Sequence, residues 1–224
     1  MSTTTMTHPN PCDRPGTVTR SLLGYGLLAG PFYLVAGLIE ALTRSGYQFT
    51  RHDLSLLANG APGWIHVAVL VVTGLMTITA AAGMRRALAG TPGGRWGPRL
   101  VAGYGLGLVA AGVFVADPMN GFPVGTPDGP PVHPTVHGVL HVVTGGLGFL
   151  CLIAATAVLA RTFARAGRRG WAWYSRGTGV AFLAGFAGIA SGASSPPVIL
   201  GFWAAVVIAF AWLAALSLHL YRAQ

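Results

Sequence analysis

The chain has 224 residues, of which 53% are hydrophobic and only 8% charged. A water-soluble domain carries roughly 25% charged residues, so this chain cannot dress its surface for water and lipid must be its main solvent. Every basic residue is an arginine, and the formal charge of +9 is scattered between apolar runs rather than gathered in one patch. That pattern argues against nucleic acid as a partner and for membrane lipids, with anionic headgroups as counter-charge at the cytoplasmic face.

Residues 1–19 are polar and are expected to form a disordered cytoplasmic tail. They hold no apolar core of the kind a cleavable signal needs, so the first span is expected to direct insertion. Residues 20–224 then read as a single transmembrane domain. Crossing a bilayer takes about 20 apolar residues, and six runs qualify: 21–43, 63–84, 99–116, 135–160, 176–194 and 198–220. Lipid leaves an open strand edge unsatisfied, so the runs are expected to be helices. The predicted fold is an all-α, polytopic bundle of six transmembrane helices. Pro31 is expected to kink the first span. The stretches "GYGLGLVAAG" and "GVAFLAGFAGIASGA" read as faces where helices approach closely. Cys12 lies in the tail and Cys151 in an apolar run, so no disulfide is expected.

Arginine placement gives the orientation. Arg14 and Arg20, then Arg85, Arg86, Arg95 and Arg99, then Arg161, Arg165, Arg168, Arg169 and Arg176, and finally Arg222 fall on one side; the other has only Arg44 and Arg51. The positive-inside rule puts both termini in the cytoplasm of a cell inner or plasma membrane protein. Trp96, Trp171, Trp173 and Tyr174 accompany the cytoplasmic arginines, as interfacial rings do.

Three hairpins start alike, with "RSLLGYGLLAG", "RLVAGYGLGLV" and "RGTGVAFLAG". The returning helices of the first two match in "IHVAVLVVTG" and "LHVVTGGLGF", which equates His66 with His141, while the third hairpin has no counterpart of either. A same-direction repeat of this sort often places a site at its interface.

The polar residues gather on the arginine-poor side. Glu40, Asp53, Asp117 and Asp128 are there, with His52, His66, His133, His137 and His141, whereas His8 and His219 fall on the other side and read as incidental. Ionisable groups near spans are costly and usually face a bundle interior or a wet cavity. In "VHPTVHGVLH", Pro134 suits a first helical turn, which sets His137 and His141 one turn apart on one face. Two imidazoles so placed can hold a metal ion, and the electropositive helix N-terminus keeps them neutral. The candidate metal ligands are therefore His66, His137 and His141, with zinc the expected metal. Asp53, Ser55 and Asp117 are the candidates for orienting or activating water. Glu40 and Arg44, four apart, read as an interfacial pair. "RHDLSLLANGAPGW" reads as an interfacial half-helix capped by Asp53 and stopped at Asn59-Gly60. "ADPMNGFPVGTPDGPPVHP" reads as a long irregular loop able to cover a pocket.

On "RHDLSLLANGAPGW", "VFVADPMNG" and "HPTVHGVLH" the chain resembles the membrane family called domain of unknown function 998, over about residues 20–220. The resemblance implies a six-helix bundle and no agreed activity. A looser likeness is to the membrane hydrolases that include alkaline ceramidases and adiponectin receptors, which combine Ser, Asp and three His around zinc. It implies Ser55, Asp53 or Asp117, His66, His137 and His141 in those roles, but this chain has six spans rather than seven and carries its H-x-x-x-H on span four. Three functions follow as expectations: a metal-dependent hydrolase or lipid-modifying site at the outer face, a transporter or small-molecule-binding protein, and haem binding by paired histidines.

Overall fold

A computed structural model describes residues 15–224; the expectations for His8, Cys12, Asp13 and Arg14 lie outside the described residues. Among those described are six α-helices: α1 (Pro15–Thr43), α2 (Gly63–Ala87), α3 (Trp96–Val113), α4 (Val136–Arg165), α5 (Arg169–Ala190) and α6 (Pro196–Arg222). A short 3-10 helix, Leu54–Ala58, lies between α1 and α2. Helix α1 begins at Pro15, so residues 15–19, expected in the tail, form its start. Pro31 lies inside α1 without ending it.

Four helices are long and apolar enough to cross a membrane: Gly16–Thr43, Gly63–Ala87, Val136–Arg165 and Pro196–Arg222. Helices α3 and α5 are shorter, at 18 and 22 residues, and carry polar first turns in Pro98-Arg99 and Arg169. The apolar stretch of each is further diluted by glycine.

Each helix packs against its neighbours in sequence, and α6 returns to close on α1, so the helices form a ring. Leu42 of α1, Leu147 of α4 and Val180 of α5 are exposed, the surface a bilayer would cover. Tyr33, Leu70, Tyr104, Phe182, Phe210 and Trp212 are buried. Glycine sets the closest approaches. A Cβ on Gly74 would fall 2.5 Å from the Gly105 carbonyl oxygen, and one on Gly107 would fall 2.7 Å from the Gly148 Cα. The backbones of α2 and α3, and of α3 and α4, therefore touch where neither helix carries a side chain.

The two ends of the ring differ. At one end Gly16 meets the backbone of Gln224, so the start of α1 and the end of α6 are neighbours. There Arg99 lies over Trp96 at 5.5 Å and Arg176 over Trp173 at 5.0 Å, contacts that let a guanidinium share an aromatic face. His219, read as incidental from sequence, packs on Trp171 with ring centroids 4.6 Å apart. At the other end the connections 44–62 and 114–135 fold onto one another, with Tyr47 edge-on to Phe122 at 5.4 Å.

Gly107→Ala should destabilise the protein by about 1–3 kcal/mol, the usual cost of overpacking a tight contact. Gly24→Ala, where an added Cβ meets nothing within 4 Å, should leave the unfolding midpoint in detergent unchanged or slightly raised.

Candidate functional site

The end that carries the acids is built from the first connection upward. Arg44 follows α1 by one residue. Its guanidinium donates to the carbonyls of Leu57 (2.9 Å) and Asn59, and lies over the Phe122 ring at 5.3 Å. The Glu40–Arg44 pair expected from their spacing is therefore not formed. Arg44 instead satisfies carbonyls at the end of the 3-10 helix, groups that would otherwise be left without donors.

Glu40 turns inward. Its Oε1 lies 3.1 Å from His66 Nδ1, and both residues are buried, His66 at 0% exposure. Among the described residues Glu40 Oε2 and His66 Nε2 have no hydrogen-bond partner. A buried pair with open valences is finely balanced: breaking it strands a polar group, while replacing both members can be neutral. Glu40→Leu and His66→Leu should each cost roughly 3–5 kcal/mol. The double variant should cost clearly less than their sum, and thermal unfolding of the four proteins would show it.

His52 pins the two connections together. The Gln48 backbone N–H donates to its Nδ1 (2.9 Å), so Nε2 carries the proton and donates to the Asn120 carbonyl (2.9 Å). Burial, the dominant cause, holds its pKa below the ordinary histidine value against the pull of that carbonyl. Arg51 and Asp128 add an exposed ion pair at 2.7 Å between the same connections. Phe122 is buried. The long segment expected as an irregular loop is thus an ordered cover, with Asn120 in the left-handed region at φ 55°.

Asp117 is engaged at the start of α4. It accepts from the Thr135 backbone N–H (2.9 Å) and hydroxyl (2.6 Å), while Thr135 accepts from the Gly138 N–H (3.0 Å). Thr135 is the N-cap, so Pro134 precedes the helix instead of sitting in its first turn. A carboxylate here is favoured by the helix dipole. A Cβ on Gly138 would fall 2.0 Å from an Asp117 oxygen, so only glycine allows this approach.

His141 Nδ1 lies 2.8 Å from the Phe114 carbonyl oxygen and 3.1 Å from that of Ala111, at the end of α3. Both partners are acceptors, so Nδ1 carries the hydrogen and Nε2 keeps its lone pair. His137 is exposed and lies edge-on to Phe114 at 5.8 Å; His133 is exposed in the preceding connection. His66, His137 and His141 therefore face three different sets of partners. Among the described residues no three His, Cys, Asp or Glu side chains converge closely enough to hold a metal ion, so the tripod expected from the spacing is not assembled. The i, i+4 rule places His137 and His141 on one helix face, but it does not decide which of them turns toward the interior.

Inside the cover lies a cavity of about 390 Å³. All six helices contribute to it, through Tyr33, Leu70, Tyr104, His141, Phe186 and Trp203 among others, and the first connection adds Asp53 and Ser55. Asp53 occupies the N-cap position of the 3-10 helix but makes no capping bond. Its Oδ1 is buried without a partner. Burial raises its pKa from 3.8 to about 6. Trp203 Nε1 is also buried without an acceptor. Of the sequence candidates, then, Asp53, Ser55 and His141 share one chamber, Asp117 holds Thr135, the N-cap of α4, His66 is paired in the interior, and His137 is on the surface. The sequence reading missed the aromatic wall from α4, α5 and α6, and the Glu40–His66 partnership across 26 positions.

A family model described as "protein of unknown function (DUF998)" matches residues 27–219. The chain belongs to this family. Neither curated proteins nor solved structures give a match. The DUF998 region reaches into all six helices and contains every residue of the cavity wall. With four helices long and apolar enough to cross a bilayer, this DUF998 member is a multi-pass membrane protein.

The Asp53 shift has a definite sign. A carboxylate whose pKa is raised on folding penalises the fold when ionised, so the penalty is absent below about pH 4, grows through about pH 6 and is complete above it. Asp53→Asn should therefore raise stability at pH 7.5 by up to about 3 kcal/mol at 1.36 kcal/mol per pKa unit. The gain should fade as unfolding is measured at pH values down to about 4.

Proposed function

We propose that the protein is a six-span membrane protein, with both termini in the cytoplasm and three hairpins arranged as a repeat, that binds a small molecule in the chamber at its outer end. The orientation rests on the arginines, which crowd the end where α1 begins and α6 stops. The function rests on the chamber: it is largely apolar, it lies between helices, and a few polar groups converge on it, the usual make-up of a small-molecule site. The observation that carries the reading is Asp53, a carboxylate in the wall for which the described residues supply no hydrogen-bond donor. An unmatched polar group in an apolar wall is costly to the fold, and a ligand that completes it removes that cost.

A hydrolytic role for the same chamber would draw on Asp53, Ser55 and His141, which all line it. No hydrogen bond joins any two of them, so binding is the reading with more support.

The test uses purified protein in nanodiscs and the neutral probe phenethyl alcohol, with empty nanodiscs as the blank for partition into lipid. Equilibrium dialysis should show saturable retention by the protein. Leu108→Trp, which places a larger ring at a buried wall position, should weaken retention at least tenfold. Retention equal to that of empty nanodiscs, or untouched by Leu108→Trp, would overturn the proposal.

A further inference from the structure

The chamber's polar groups also say what kind of molecule suits it, given that it is a binding site at all. Asp53 can only accept hydrogen bonds when ionised, and His141, with its Nδ1 hydrogen committed to the Ala111 and Phe114 carbonyls, offers only the lone pair of Nε2. The wall's carboxylate and imidazole are thus acceptors, and its donors, the Ser55, Tyr33 and Tyr104 hydroxyls and Trp203 Nε1, are all neutral. The described residues provide no cation to match those acceptors. Arg44 is held on the Leu57 and Asn59 carbonyls and the Phe122 ring, and Arg51 is paired with Asp128. The other arginines of the described residues lie in or beside the helix turns at the opposite end of the ring. In a chain with formal charge +9, a carboxylate in an apolar wall with no arginine on it marks a place where positive charge is left for another molecule to bring.

The rest of the wall suits such a molecule. Tyr33, Tyr104, Phe149, Phe186, Phe202 and Trp203 all line the chamber. Phe149 is their hub, with ring centroids 5.3 Å from Phe186, 5.6 Å from Phe202 and 6.4 Å from Tyr104. Aromatic rings bury apolar groups and also attract cations through their π faces, more strongly where water is excluded. An anion would meet a carboxylate, an imidazole lone pair and electron-rich rings, with only neutral donors such as Trp203 Nε1 to set against them.

We infer that the chamber's ligand is a lipophilic amine, bound as the ammonium, with its N–H groups directed to the Asp53 carboxylate and its apolar body among the aromatic side chains. Asp53 acts as the counter-ion and the aromatic wall provides the remaining contact.

The same nanodisc dialysis distinguishes this from the broader binding proposal. Three probes of nearly equal size are compared: phenethylamine, phenethyl alcohol and phenylacetate. Wild type should hold the amine at least tenfold more tightly than the alcohol, and phenylacetate no better than empty nanodiscs. Asp53→Asn, which keeps the side chain's shape, should bring amine and alcohol within about threefold of each other while alcohol binding persists. Equal affinity for amine and alcohol in the wild type, or an amine preference that survives in Asp53→Asn, would overturn the amine assignment and leave the cavity as a neutral site. Failure of all three probes to bind would overturn both readings.

Discussion

A bilayer interior offers no hydrogen bonds, and the rest of this structure follows from that. Backbone polar groups are satisfied by helix formation. Side-chain polar groups must find partners inside the protein or sit at its ends. The four acids of the described residues show the range of answers. Glu40 is buried against His66, Asp117 holds the N-cap residue of α4, Asp128 pairs with Arg51 near the surface, and Asp53 has no hydrogen-bond partner among the described residues. Three are accounted for by the fold itself. The fourth is the exception around which the functional reading is built.

The ring of helices makes that exception possible. Glycine contacts bring α2 and α3, and α3 and α4, to backbone distance, which narrows those seams. At the end that carries the acids the ring leaves a cavity, and the first connection forms part of its wall. The cover is held by specific contacts rather than by bulk: Arg44 on two carbonyls, His52 as a neutral bridge, Phe122 buried beneath Arg44 and beside Tyr47. Asp53 enters the chamber wall just before the 3-10 helix, whose far end Arg44 holds through the Leu57 and Asn59 carbonyls.

The histidines illustrate how residue type and role separate. Imidazole is a metal ligand, an acid or base, or a structural hydrogen-bonding group according to what meets its two nitrogens. Here His52 has both nitrogens bonded to backbone, His66 has one on a buried carboxylate, His141 has one on two carbonyls, and His137 lies on the surface against a ring. Four histidines near one end thus hold four different positions. A regular spacing had suggested a common purpose for two of them.

Some of this was written in the sequence alone. Low charge and long apolar runs determined that the chain is helical and lives in lipid, because no other backbone state is tolerated there. The motifs "RHDLSLLANGAPGW", "VFVADPMNG" and "HPTVHGVLH" carried the family, and a turn of helix before Asn59-Gly60 was legible from turn chemistry. The grouping of acids and histidines on the arginine-poor side was also visible. Only the tertiary structure decided which of them meet. Glu40 has an arginine four residues away and a histidine 26 away, and it pairs with the histidine, because the packing of α1 on α2 buries one face of each helix and periodicity alone does not say which. The aromatic wall comes from helices far apart in the chain that become neighbours only when the ring closes. Asp53 looked like a helix cap because it stands in the cap position; the fold turned its side chain toward a cavity that no single segment of sequence contains.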